Sequence, residues 1–219
     1  QEIRKIAEKK ELPTSVESRL AEAAEAATQA QQAMTEAGQQ PSPPSQAAAE
    51  QAQRAIERAA SEIQAAIADT QRRQLAVEVG ELARAAEALE RAAAAERELA
   101  QQATQAADAG QPLSSPAAKQ ATAQQQEVAD VARNVAEGVR HTAPETARSL
   151  EQAQQPIAAA KQALSAAEQS PQGAEQVAEQ AQSAAQQLEQ AAKNLRQEVA
   201  KSAQDLMRVA DEQLAQVTP

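Results

Sequence analysis

The sequence predicts an all-α protein: an elongated antiparallel helical bundle with Ala-rich coiled-coil seams and one very long helix. Three observations predict it. Ala, Gln, Glu, Arg and Lys make up most of the 219 residues, and all are strong helix formers. The bulky apolar residues recur at spacings of three and four, the period of one helix face. Helix-breaking Gly and Pro gather chiefly in five places: Pro13, Gly38–Pro44, Gly110–Pro116, Pro144 and Pro171–Gly173.

The composition also limits how such a chain can fold. It has no Phe, Trp, Tyr or Cys and a formal charge of -10. Leu, Ile, Val and Met together are only about a seventh of the chain. Low bulky content with net charge is a signature of disorder. A disordered chain, however, has no reason to keep its few bulky residues in helical phase. Small side chains offer another solution, because Ala lets helix backbones approach closely. Each buried methyl contributes only about 0.8 kcal/mol, so stability must accumulate along long helices.

The breakers carry the chemistry of helix ends. Thr14 with Glu17 and Thr142 with Glu145 fit capping boxes. Ser115-Pro116 and Ser170-Pro171 each place a capping hydroxyl before a first-turn Pro. Gly38 and Gly110 stand where a left-handed residue ends a helix. Six helical segments follow: the tail of one at 1–12, then 14–37, 46–108, 116–141, 144–169 and 173–217. The third would run about 95 Å if Gly80 does not bend it.

Each segment has an apolar stripe. In 14–37 it is Val16, Leu20, Ala23, Ala27, Ala30 and Met34. The long segment carries Ile56, Ile63 and Ile67, then Leu75, Val79, Leu82, Ala86 and Leu89. The change of phase after Ile67 reads as a stutter in a left-handed seam. In 116–141 the stripe is Val128, Val131 or Ala132, Val135 and Val139. In 144–169, Leu150, Ala153, Ile157, Ala160, Leu164 and Ala167 alternate large and small. The stripe keeps its phase across Pro156, so one kinked helix is expected there. The last segment has Val177, Ala181, Ala184, Leu188, Ala191, Leu195 and Val199.

A weak internal repeat accompanies this pattern. Pro13, Leu20 and Met34 correspond to Pro144, Leu150 and Leu164, and Ile56-Glu57-Arg58 to Leu188-Glu189-Gln190. Glu50-Gln51-Ala52-Gln53 recurs as Glu179-Gln180-Ala181-Gln182. The repeat divides the chain into a first helical unit, 1–108, truncated at its start, and a second three-helix unit, 109–219. Gln1 already lies inside a helical pattern, so the sequence reads as a fragment or a processed chain.

Little in the sequence points to chemistry. His141 is the only histidine, and Glu137 precedes it by one helical turn. A bundle-type di-metal site needs two Glu-x-x-His pairs and further carboxylates. His141 is instead expected to favour the last turn of its helix through the helix dipole. Carboxylates such as Glu87, with Arg91 one turn on, read as surface pairs worth a few tenths of a kcal/mol. No carboxylate pair is bracketed by apolar bulk that would raise a pKa. No phosphate-binding glycine loop or nucleophile elbow occurs. No catalytic, cofactor-binding or metal-ligating residue is therefore expected, and no enzymatic activity.

Nucleic acid is not an expected partner. The charge is negative, Arg72-Arg73 and Lys9-Lys10 are isolated basic pairs, and no aromatic ring can stack on a base. No run approaches the 18 or so apolar residues of a membrane span. Expected partners are other proteins, or further copies of the chain, engaged through helices.

One texture is familiar. Glu96-Arg97-Glu98-Leu99-Ala100-Gln101-Gln102, Gln124-Gln125-Gln126-Glu127-Val128-Ala129 and Ala181-Gln182-Ser183-Ala184-Ala185-Gln186-Gln187-Leu188 share it. This texture resembles the Gln/Ala/Glu-rich coiled-coil stretches of large bacterial proteins of the planctomycete type, which often follow a membrane anchor. The resemblance implies an extracytoplasmic or membrane-tethered helical stalk and transfers no functional residue. The lack of aromatics and the sparse Leu depart from it. The leading expectation is a structural spacer or scaffold. The alternative is an amphipathic module that binds a partner helix or an apolar or lipid surface.

Overall fold

The computed structural model describes residues 43–217 and isolated helical positions between Ser18 and Thr35. Among the described residues the chain is all-α, without a strand. The helices from residue 43 onward are α1 (Pro43–Asp108), α2 (Ser115–Gly138), α3 (Pro144–Ala167) and α4 (Pro171–Val217). α1 is the very long helix, at 66 residues. It begins on Pro43 and Pro44, where the missing N–H groups would have no helical partner anyway. Gly80 does not interrupt it.

The chain divides into two units. One comprises residues 77–204 and is an antiparallel four-helix bundle. The C-terminal part of α1 runs to a short loop, α2 returns, α3 reverses again and α4 completes the bundle. One part of its core joins Leu82 and Leu89 of α1 to Val128 of α2, Leu150 and Ile157 of α3, and Leu188 and Leu195 of α4. The other joins Leu99, Leu113, Leu164 and Val177. Leu113 ties the α1–α2 loop to the end of α3, its N–H donating to the Ala167 carbonyl at 2.8 Å. The expected boundary after residue 108 thus falls inside one core. α1 and α2 share buried apolar side chains across that loop, so their packing is not separable there.

The second unit holds residues 1–76 and 205–219. Its described helices carry local ion pairs such as Glu50–Arg54 and Asp205–Arg208. Ala59 and Ala66 are buried. The stripe proposed for this stretch of α1 is only partly covered: Ile56 is 48% and Ile67 54% exposed. Leu188, the repeat counterpart of Ile56, is fully buried in the other unit. The repeat is therefore not matched in environment at that position. The capping box at Thr14 and Glu17, the Gly38 cap and most of the 14–37 stripe lie outside the described residues.

Within the bundle most positions of the predicted stripes are core, while Val79, Val135 and Val199 are only half-buried. All six positions of the α3 stripe are buried, as are those of α4 from Val177 to Leu195. α3 continues through Pro156, which is itself buried. Gly110 adopts φ 64°, and the Gln111 N–H reaches the Ala106 carbonyl at 2.9 Å, closing α1 as a Schellman turn. Ser170 caps α4 as expected, its hydroxyl accepting from the Gly173 N–H at 3.1 Å.

Two other caps differ. Ser114, not Ser115, is the residue before α2, and its side chain makes no capping bond. Ser115 is drawn toward α3 instead, its hydroxyl donating to Glu168 Oε1 at 3.4 Å. α3 starts after Ala143, and the Thr142 hydroxyl donates back to the Val139 carbonyl at 3.4 Å rather than capping α3. α2 also ends at Gly138, so His141 lies in the following turn and not in the last helical turn.

Candidate functional site

The bundle core is apolar apart from buried Thr146 and Ser202 and one fully buried polar pair. Glu96 of α1 and Gln125 of α2 are 0% and 1% exposed. Gln125 Nε2 donates to Glu96 Oε1 at 2.7 Å. Both residues sit on their helices' buried stripes. Glu96 follows Leu89 by seven residues and precedes Ala103 by seven; Gln125 follows Ala121 by four and precedes Val128 by three. Each occupies a position where the pattern calls for an apolar residue. The pair lies between the two parts of the core, one including Ala93 and Val128, the other Leu99 and Ala121. On α3 the corresponding gap, between Ile157 and Leu164, holds buried Ala160.

This polar layer has unusual electrostatics. Burial pushes the Glu96 carboxyl up to about 7, and the hydrogen bond from Gln125 offsets this only in part. Glu96 Oε2 and Gln125 Oε1 are buried without a hydrogen-bond partner, as is Gln187 Oε1 on α4. An unsatisfied buried acceptor costs about 1–3 kcal/mol. The layer is therefore a place where the fold tolerates a local penalty. The composition shows abundant carboxylates, but a lone acidic residue in apolar surroundings was not anticipated. The available signal was phase: extending the α1 stripe seven residues beyond Leu89, and the α2 stripe three residues before Val128, lands on this pair.

The surface carboxylates behave differently. Glu90 receives two hydrogen bonds from Arg196 at 2.6 and 2.7 Å. Those bonds hold its carboxyl below the ordinary value and raise the Arg196 guanidinium. Arg97 and Glu189 form a second α1–α4 ion pair at 2.6 Å. Arg72 pairs with Asp69 within α1 at 3.4 Å. Glu137 and His141 are both exposed. Among the described residues, no group of three or more His, Cys, Asp or Glu side chains is arranged to hold a metal ion. Among the same residues, no helix is long and apolar enough to cross a membrane.

Between α1 and α2 the bundle carries an open groove. One part, of about 550 Å³, is lined by Leu82, Ala85, Val135 and Val139 with Glu81 and Arg84. A second part, of about 380 Å³, is lined by Ala92, Ala95, Val128 and Val131 with Arg91 and Glu127. Ala88 lines both. The groove presents no nucleophile beside a base, and the Glu96–Gln125 layer is closed off from solvent. What the layer can do chemically is hold a proton and discriminate between helix registers. Sliding α2 by one heptad would place Ala118 or Ala132 opposite Glu96 and strand its carboxyl. Comparison with known protein families, with curated proteins and with solved structures finds no match.

Proposed function

We propose that the chain is a structural, non-catalytic helical spacer or scaffold that mediates protein–protein assembly. The observation that supports this reading is α1. It runs unbroken from Pro43 to Asp108, contributing residues to both units. A single helix of 66 residues is suited to separation rather than to enclosure of a ligand. The polar side chains of the bundle reinforce the reading. The ion pairs Glu90–Arg196 and Arg97–Glu189 tie α1 to α4 at the surface, and the one carboxyl displaced strongly upward sits in a sealed layer rather than an open cleft.

The absence of Cys makes the reading directly testable. Spin labels at Glu57→Cys and Glu98→Cys are separated by 41 residues of α1. At about 1.5 Å per residue a stiff helix puts their attachment points about 60 Å apart. A narrow distance distribution near that value supports a spacer. A broad distribution, or one centred far below it, removes the main support.

A second reading rests on a specific observation. Ile56 and Ile67, three helical turns apart on one face of α1, are each about half exposed. They favour an amphipathic module that binds a partner helix or an apolar surface. Flotation with neutral and anionic vesicles separates the two readings. A spacer stays at the bottom of the gradient; a lipid-binding module rises with the vesicles.

A further inference from the structure

We propose that Glu96 and Gln125 share a proton in the folded bundle, forming a reciprocal carboxyl–carboxamide pair, and that loss of this proton is a built-in pH-sensitive weakening of the bundle. The geometry that carries this is the pattern of used and unused atoms. Gln125 Nε2 already donates to Glu96 Oε1 at 2.7 Å. Each partner is left with one buried oxygen that accepts nothing, Oε2 on Glu96 and Oε1 on Gln125. Both atoms are acceptors, so neither can satisfy the other without a proton between them. One proton on Glu96 Oε2, donated to Gln125 Oε1, satisfies both and closes a ring of two hydrogen bonds. A carboxylate could make only the single bond that is present and would hold its charge in a core with 0% exposure.

No neighbouring charge offers compensation. The charged groups near this level are Arg97 and Glu98 on α1, Glu127 on α2, Lys161 on α3 and Glu189 on α4. Arg97 bonds Glu189 at 2.6 Å, Glu98 accepts from Gln102, and Lys161 donates to Gln126 at 2.7 Å. Glu127 is exposed on the groove between α1 and α2. The upward displacement of the Glu96 carboxyl to about 7, caused chiefly by burial, agrees with a neutral acid. An acid whose folded-state pKa lies above its unfolded value binds its proton more tightly when folded. Its contribution is full below the unfolded value of about 4.5. It is lost as pH rises toward about 7, and stability then levels off. The deprotonated bundle is weakest where its two apolar parts meet.

The test compares urea unfolding of the intact chain and Glu96→Gln, followed by far-UV circular dichroism, between pH 5 and pH 8. Glutamine keeps the size and supplies a permanent donor toward Gln125 Oε1. The wild-type folding equilibrium should fall by on the order of 100-fold across this range relative to the variant, which cancels every group the two proteins share. The two should be nearly equally stable at pH 5, with the variant more stable at pH 8. Parallel pH profiles would overturn the proposal. A carbon-13 titration of the Glu96 carboxyl in the wild type stands independently of whether the variant folds. A midpoint near 7 supports the shared proton, and a midpoint in the ordinary carboxylate range overturns it.

Discussion

Replacing Gly173 by Ala sets two opposing effects against each other at a single methyl group. Gly173 lies in the first turn of α4, buried against the last turn of α3. A Cβ built there would overlap the backbone of Ala166 and Ala167, striking the Ala166 carbonyl carbon and oxygen and the Ala167 nitrogen. None of these is the tip of a flexible side chain. Relief requires moving α4 away from α3, and both helices are anchored nearby by fully buried Ala167, Ala174 and Val177. Overpacking of this kind costs about 1–3 kcal/mol. Against it, Ala lowers the entropy of the unfolded chain and raises helix propensity, worth up to about 1 kcal/mol. The expected net effect is destabilisation by about 1–2 kcal/mol. Gly80→Ala is the control. It sits inside α1 with nothing within 4 Å of an added Cβ, so only the favourable effect applies and stability should rise by up to about 1 kcal/mol. Urea unfolding by circular dichroism at 222 nm measures both, since the chain has no Trp or Tyr to report by fluorescence. If Gly173→Ala proved as stabilising as Gly80→Ala, the close approach of α3 and α4 would be refuted. The loop Ser170–Pro171 would then hold the two helices further apart than described.

Three further outcomes follow from the same packing. Ala160→Leu, at a fully buried seam position of α3, should cost about 1–3 kcal/mol, whereas exposed Gln162→Leu should change stability by under about 0.5 kcal/mol; thermal melts of the two variants check the contrast. Leu188→Ala should cost about 2–5 kcal/mol by opening a cavity, while Arg196→Ala, which removes an exposed, solvent-screened ion pair, should shift the midpoint of the same urea titration far less. Raising the pH from about 4.5 to about 7 should remove about 3 kcal/mol of wild-type stability through Glu96 alone, and a pH series of melts subtracting Glu96→Gln measures that share.

What the sequence by itself determined was local. Helix propensity, the spacing of Leu150, Ile157 and Leu164, and the left-handed Gly110 each depend on residues within a few turns, so they are legible without knowing what packs against what. The α3 and α4 stripes were readable for the same reason. Only the tertiary structure decided which stripe positions a neighbour covers. Ile56 and Leu188 have the same local pattern, yet one is half exposed and the other sealed, because burial depends on which helices meet. Ser115 and Thr142 look like caps, but acceptors just past the C-terminal ends of α3 and α2 compete for their hydroxyls. The 108/109 loop looks like a boundary, but α1 packs onto α2, α3 and α4 across it. Glu96 and Gln125 look like two more polar residues in a chain full of them. Antiparallel packing of α1 on α2 brings them face to face at 2.7 Å, inside a core from which water is excluded. Their shared chemistry arises from that meeting, since neither helix alone removes the carboxyl from solvent.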